Sequence, residues 1–236
     1  MLRLFRKSWQ TGIVTTAYPD RADVPPQGFR GLPEWRRESC TFCGECSRQC
    51  PTDAIHLEQA GASWSVDPKK CIFCGYCEEA CEKGALALGS RYELAERAGE
   101  DETGRIFGGS VHIRHLDAGS CNGCDWEMVN LTGPVYDIQR LGFDFVASPR
   151  HADVLMVTGP VTRNLEIAAR KTFEATPAPK LVVAVGTCAC SGGICGKSYA
   201  SAGGVDNILP VDVYIPGCPP RPQALIDGLL KAVKRR

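Results

Sequence analysis

Hydrophobic and polar positions change their rhythm along this chain. In the C-terminal half, four short apolar-rich runs stand out: VHIRHL (111–116), ADVLMVTG (152–159), KLVVAVG (180–186) and VDVYIPG (211–217). Each reads as a strand, and the middle two are apolar enough to be buried on both faces. Helical segments are expected at CDWEMVNLTG (124–133), NLEIAARKTFEAT (164–176) and RPQALIDGLLKAVKRR (221–236). Strands alternating with helices predict an α/β domain with a parallel sheet covered on both sides. Upstream, AIHLE (54–58) and SWSVD (63–67) alternate over a few residues and predict a small hairpin. Residues 89–109 are charged and Gly-rich and read as a linker, within which RYELAERA (91–98) could form one exposed helix. At the start, Leu2, Leu4, Phe5, Trp9 and Ile13 could line one side of a short helix.

Charge changes this picture only at the ends. Lys plus Arg and Asp plus Glu both number 27, yet residues 1–37 hold seven basic residues against three acids. Arg3, Arg6 and Lys7 beside the apolar stripe would let the first helix lie on a membrane surface or a partner subunit. The basic end KAVKRR reads as solvated surface. No basic-aromatic pattern extends far enough to imply nucleic acid. No run approaches the roughly 18 apolar residues that span a bilayer, so a soluble or peripheral protein is expected.

Cysteine changes the picture most. There are 14, clustered at Cys-x2-Cys spacing, and the first twenty residues contain no long apolar stretch of the secretory kind. Thiolate ligands in a reducing compartment fit this better than disulfides. CTFCGECSRQCP (40–51) and CIFCGYCEEAC (71–81) repeat one spacing, Cys-x2-Cys-x2-Cys-x3-Cys. Three such cysteines face one iron–sulfur cube, and the fourth is carried on to ligate the other cube. One 4Fe-4S cluster is therefore expected on Cys40, Cys43, Cys46 and Cys81, and a second on Cys71, Cys74, Cys77 and Cys50. Gly44 and Gly75 would let the backbone approach the sulfurs. Glu82 stands where a second proline would be expected. The competing reading is a pair of zinc sites. These residues resemble the dicluster bacterial ferredoxin module, which implies a small α+β domain over 38–88, after a docking segment over 1–37 and before the linker and a domain over 110–236.

GSCNGCDWE (119–127) carries two more cysteines at ligand spacing. In an open, flavodoxin-like α/β sheet, sites form beyond the carboxyl ends of the strands. Cys121 and Cys124 follow the first strand, Cys188 the third and Cys218 the fourth, so these four are expected to hold a third 4Fe-4S cluster. The loop TGPVTRN (158–164) should wall the same crevice. Cys190 and Cys195 are left over as buried thiols, alternative ligands or redox-sensing groups. Asp125 and Glu127 are candidates for tuning the cluster or moving protons, against an ordinary role as acids at a helix start. His112 and His115 read as packing residues of the core or an interface.

GSCNGCDWE, SPRHADVLMVTGPVT, VVAVGTCACSGG and VDVYIPGCPPRPQALIDGLL together resemble the proximal-cluster small subunit shared by respiratory complex I and membrane-bound, group 4 nickel–iron hydrogenases. The front part, with LFRKSW, YP and GFRG before the first motif, resembles the dicluster ferredoxin subunit of the same complexes. Those are ordinarily separate chains, and here they are fused. Complex I subunits typically have adjacent cysteines at the first loop, whereas Cys121-Asn-Gly-Cys124 resembles the hydrogenase form. The resemblance implies an electron-transfer subunit of a formate-hydrogenlyase-like or energy-converting hydrogenase, passing electrons through three clusters. Its implied partners are a large subunit bearing the nickel–iron site, further hydrogenase or complex I-like subunits including membrane subunits, and an electron-donor protein. The implied location is peripheral, on the cytoplasmic face of the membrane. A complex I-like quinone reductase and a freestanding ferredoxin-type carrier are the rival readings.

Overall fold

A computed structural model describes residues 2–58, 60–99 and 103–235. Arg236 of the basic end and residues 100–102 of the expected linker lie outside the described residues. The chain begins with helix α1 (Leu2–Thr11), none of whose residues is buried. A small module follows: β1 (Pro33–Trp35), α2 (Glu45–Arg48), β2 (Ile55–Glu58), β3 (Ser63–Val66), α3 (Tyr76–Glu79) and β4 (Leu86–Leu88). β1 pairs antiparallel with β4, and β2 with β3. The two halves repeat one design, a cysteine loop, a single helical turn and a strand.

The rest is a three-layer domain. Its strands are β5 (Glu96–Arg97), β6 (Val111–Asp117), β7 (Phe143–Phe145), β8 (Val154–Thr158), β9 (Leu181–Val185) and β10 (Val213–Ile215). They lie in the order β5-β10-β9-β8-β6-β7, all parallel except β5. Numbered from β6, the parallel strands run 2-1-3-4-5, the flavodoxin-like order, and the switch point falls between β6 and β8. Every residue of β8 and β9 is buried, as continuous apolar strands between helices must be. One face packs Ile113, Met156, Val183 and Ile215 against α4 (Gly123–Asn130) and α7 (Pro222–Ala232). The other packs Leu155, Val157, Val182 and Ala184 against α5 (Glu166–Ala175) and α6 (Gly186–Ser191).

Three expectations need correction. RYELAERA is not an exposed helix: Tyr92, Leu94 and Ala95 are buried, and Glu96 and Arg97 form the edge strand β5 against β10. The alternate burial of Tyr92 and Leu94 outweighs the helix propensity of the Glu and Ala around them. The expected linker therefore contributes to the sheet. Docking by the first 37 residues is also too broad a description. Only α1 and Gly12–Val14 project, with Ile13 just past the helix end. Beyond them Tyr18 is buried with its hydroxyl donating to Glu93 (2.7 Å), the Thr16 N–H donates to Val135 O (2.8 Å), and β1 belongs to the small module. Finally, β7 and α6 were not anticipated. β7 has only three residues, and α6 (GTCACS) has no apolar period to announce it.

Candidate metal centres

In the small module, Gly44 and Gly75 cap α2 and α3 in the same left-handed conformation, φ +80° and +87°. A side chain would be strained there, and the two turns swing their cysteine loops inward in the same way. Cys40, Cys43, Cys46 and Cys81 line one cavity of about 240 Å³. Cys50, Cys71, Cys74 and Cys77 line a second, smaller one. Each cavity is thus closed by the fourth cysteine of the other repeat. Backbone N–H groups reach the sulfurs symmetrically: Phe42 to Cys40 (3.4 Å) and Ala85 to Cys81 (3.2 Å) in the first, Phe73 to Cys71 (3.4 Å) and Ala54 to Cys50 (3.3 Å) in the second. Burial pushes the Cys71 thiol up to about 11 and Cys77 to about 12. Bare thiols here are protonated, and loading iron must expel those protons. Among the described residues no three His, Cys, Asp or Glu side chains converge as a single ion needs. Four thiolates on separate corners of a cube stand further apart, and these cavities with their all-sulfur donor sets fit such a group.

The third set gathers beyond the carboxyl ends of the sheet strands. Asp117 ends β6 and accepts from the N–H groups of Gly119 (2.9 Å) and Ser120 (2.7 Å), folding the loop that presents Cys121. Cys124 lies in the first turn of α4, Cys188 in α6 and Cys218 just after β10. Cys188 is therefore held by a helix and not by a loop. Burial is the first cause raising the Cys124 thiol, and the next are its neighbours Cys188, Cys121 and Cys218. Burial likewise lifts Cys188 to about 11. Thr162 donates its N–H to Ala118 O (3.0 Å), which draws the 158–164 loop against the β6 loop. A Cβ on Gly186 would stand 2.4 Å from Cys124 Sγ, and one on Gly193 3.2 Å from Cys188 Sγ. The absent side chains leave a cradle around the sulfurs. Cys190 points away, buried with its Sγ 3.6 Å from Ala184 O. Cys195 is exposed, near enough to Cys188 to oppose its ionisation.

The small module meets the sheet domain at these cysteines. The Thr187 hydroxyl, 1% exposed, lies 2.8 Å from Cys71 O and 3.1 Å from Gly217 O. Ser191 Oγ donates to Lys69 O (2.9 Å), and Arg30 to Cys74 O (2.8 Å). Cys74 and Cys218 line one cleft of about 330 Å³ together with Arg30, Arg91 and Arg221. Arg221 follows Cys218-Pro-Pro, pairs with Asp23 (2.5 Å), donates to Gln223 (2.9 Å) and lies over the Tyr92 ring at 4.6 Å. Lysine cannot reproduce a fork that pairs and stacks at once. Arg221→Lys is expected to lower stability by roughly 1–3 kcal/mol, read as a lower urea midpoint. An unchanged midpoint would mean that this clasp does not hold the N-terminal strap.

Some features were not visible in the sequence. Asp125 accepts from Ser120 Oγ (2.9 Å) and its other oxygen lies 3.2 Å from His115 Nε2. That second oxygen makes no hydrogen bond, and His115 Nε2 lies 3.0 Å from Thr158 Oγ1, its hydrogen-bond partner, so the cluster beside Cys124 gathers residues five and ten positions from Asp125 without forming a continuous chain. Glu127 accepts from Asn130 (3.3 Å), while His112 sits against Asp153 (3.4 Å) on the sheet. Trp126 and Val129 of α4 are exposed next to Cys121 and Cys124.

Comparison with known proteins agrees with this fold. Residues 121–232 match the family described as NADH ubiquinone oxidoreductase, 20 Kd subunit, and residues 39–86 match the 4Fe-4S dicluster domain. The chain is 44% identical over 131 residues to "Probable membrane-bound hydrogenase subunit mbhJ" of Pyrococcus furiosus, covering 56% of this chain and 78% of that one. It is 44% identical over 124 residues to formate hydrogenlyase subunit 7 of Escherichia coli, covering 52% of this chain and 49% of that protein. It is 51% identical over 108 residues to an NADH-quinone oxidoreductase subunit of Clostridium beijerinckii, covering 45% of this chain and 64% of that protein. With its 4Fe-4S dicluster module in front, the chain belongs to the 20 kDa subunit family of hydrogenase and NADH–quinone oxidoreductase complexes.

Proposed function

We propose that this chain is the electron-transfer subunit of a membrane-associated nickel–iron hydrogenase complex, formate-hydrogenlyase-like or energy-converting. It would hold three 4Fe-4S clusters, on Cys40, Cys43, Cys46 and Cys81; on Cys50, Cys71, Cys74 and Cys77; and on Cys121, Cys124, Cys188 and Cys218. The observation that carries this reading is the shared cleft of Cys74 and Cys218, with Thr187 linking the Cys71 and Gly217 carbonyls. It supports a path in which the second cluster would lie next to the third, with the first further along. Each cluster supplies a one-electron carrier. The protein's own contribution is spacing, through Thr187 and Ser191, and a dry setting, through the buried Cys71 and Cys77 and the half-buried Cys124 of α4. Cys121 and Cys218 are exposed, and so are Trp126 and Val129 on α4, the helix that carries Cys124. That mixed apolar edge suits a large subunit bearing the nickel–iron site, which would cover the third cluster.

The exposed apolar residues and cations of α1 suit the membrane surface or a membrane subunit, on the cytoplasmic side. The electron donor would approach the first site. A second reading, a complex I-like quinone reductase, draws support from a cavity of about 240 Å³ beside α4, lined by His115, Asp125, Met128 and Phe145. Metal counting separates the two. The complex isolated anaerobically from the membrane fraction is expected to carry about twelve irons on this chain and about one nickel per copy. A chain lacking residues 2–13 is expected to leave the membrane fraction. About twelve irons without nickel would shift the assignment to the quinone reductase, and about eight would remove the third site.

A further inference from the structure

The two halves of the small module offer their cavities equal backbone donors, but their side-chain donors differ. Trp35 and Trp64 stack at 6.1 Å with an interplanar angle of 25°, and both line the cavity of Cys40, Cys43, Cys46 and Cys81. Both indole Nε1 atoms are buried, and neither has a hydrogen-bond partner in the protein. An indole N–H is a donor only, and leaving one buried and unpaired costs about 1–3 kcal/mol. Two such donors in the wall of one cavity call for an acceptor inside it. The second cavity has no indole. It is walled by Pro33, Ala54, Ile55 and Val66, and its polar side-chain contact is the Thr52 hydroxyl, 3.8 Å from Cys50 Sγ.

Resting on the three-cluster reading, we propose that Trp35 and Trp64 donate their indole N–H groups to the sulfurs of the first cluster and make it the most easily reduced of the ferredoxin pair. A hydrogen bond to sulfur stabilises the extra negative charge of the reduced cluster and so raises its potential. Ring bulk alone works the other way, because excluding water disfavours that charge. Phenylalanine keeps the bulk and removes the N–H, so it isolates the donor. The first cluster would then hold the incoming electron, and the buried second cluster would act as a step uphill toward the third.

The test uses the full chain in its complex, labelled with 15N at the indole nitrogens and reduced stepwise. The ferredoxin-cluster signal that appears at the higher potential is expected to carry a 15N coupling in pulsed electron paramagnetic resonance. Trp64→Phe should weaken that coupling, which separates it from any arising at Trp126 beside the third site. In the Trp35→Phe/Trp64→Phe double variant, the reduction equilibrium of this cluster should fall at least about tenfold, equivalent to about 59 mV for one electron. A full iron count with no 15N coupling on that signal overturns the inference and leaves the three-cluster reading intact. An unchanged potential in the double variant overturns it too. The labelled, unsubstituted chain decides the matter even where a variant fails to fold. An unsubstituted chain short by about four irons, with no cluster at the first site, overturns both.

Discussion

Cys188→Ala is expected to strip about four of about twelve irons from the chain, while Cys190→Ala leaves the count unchanged. The two residues are neighbours on the same short helix, yet they face opposite ways. Burial first, and then the charges of Cys218, Cys195 and Cys121, oppose ionisation of Cys188, and Cys188 in turn opposes that of Cys124. Cys190 is 4% exposed with its sulfur against Ala184 O, packed among Leu155, Val182 and Ala189. Removing Cys190 costs packing, roughly 1 kcal/mol for so small a side chain, and no ligand. Removing Cys188 leaves a cube with three thiolates at a partly open site, and the electron path to a partner chain ends there. On the hydrogenase reading proposed above, hydrogen turnover by the assembled complex should then be lost, while electron paramagnetic resonance still finds both ferredoxin clusters. Cys195 makes the experiment sharper. It is exposed seven residues on, near enough to Cys188 to affect its charge. If Cys188→Ala kept its iron and only the Cys188→Ala/Cys195→Ala double variant lost it, the ligand role would pass to Cys195.

The repeat Cys-x2-Cys-x2-Cys-x3-Cys carried most of the small module in plain sight, because a metal loop must write its ligands at fixed spacing. The buried strands β8 and β9 were equally plain, since strands covered on both faces cannot hide their apolar runs. What stayed hidden was long-range or short. β7 takes three residues from a stretch with no period, and its pairing with β6 comes from the sheet. β5 hid behind good helix formers, since an edge strand of two residues is dictated by its neighbour β10. Helix α6 exists because Gly186–Ser191 packs small residues between β9 and β10, not because its sequence favours a helix. The Trp35–Trp64 stack joins two antiparallel strand pairs through contacts 29 positions apart, and the Thr187 bridge to Cys71 spans 116. Neither has a local signature. The cysteines that gather at each cavity were therefore legible one by one, while the groups that pack around them and join the cavities were not.

Gly186→Ala is expected to empty the third site with every cysteine in place. Gly186 opens α6 at φ +82°, where a Cβ costs about 1–2 kcal/mol of backbone strain. The added carbon would also stand 2.4 Å from Cys124 Sγ and 3.4 Å from Gly217 O. Carbon and sulfur cannot approach so closely, so either the Cys124 sulfur or the start of α6 must move. Cys124 is fixed by the first turn of α4 and packs against the main core cluster. The start of α6 is tied by the Thr187 N–H to Gly217 O (2.8 Å) and by the Thr187 hydroxyl to Cys71 O. Neither yields freely, and overpacking of this kind costs a further 1–3 kcal/mol or so. The strain falls on two ligands at once, Cys124 directly and Cys188 through the helix that carries it. Iron should fall by about four per chain, with the circular dichroism of the sheet domain retained. Gly84→Ala is the control, since Gly84 has φ +59° but no atom within 4 Å of the new Cβ. It bears comparable backbone strain and should keep all its iron. Equal loss in both variants would make backbone strain the cause, and full iron in Gly186→Ala would mean that Cys124 does not stand where a cube would need it.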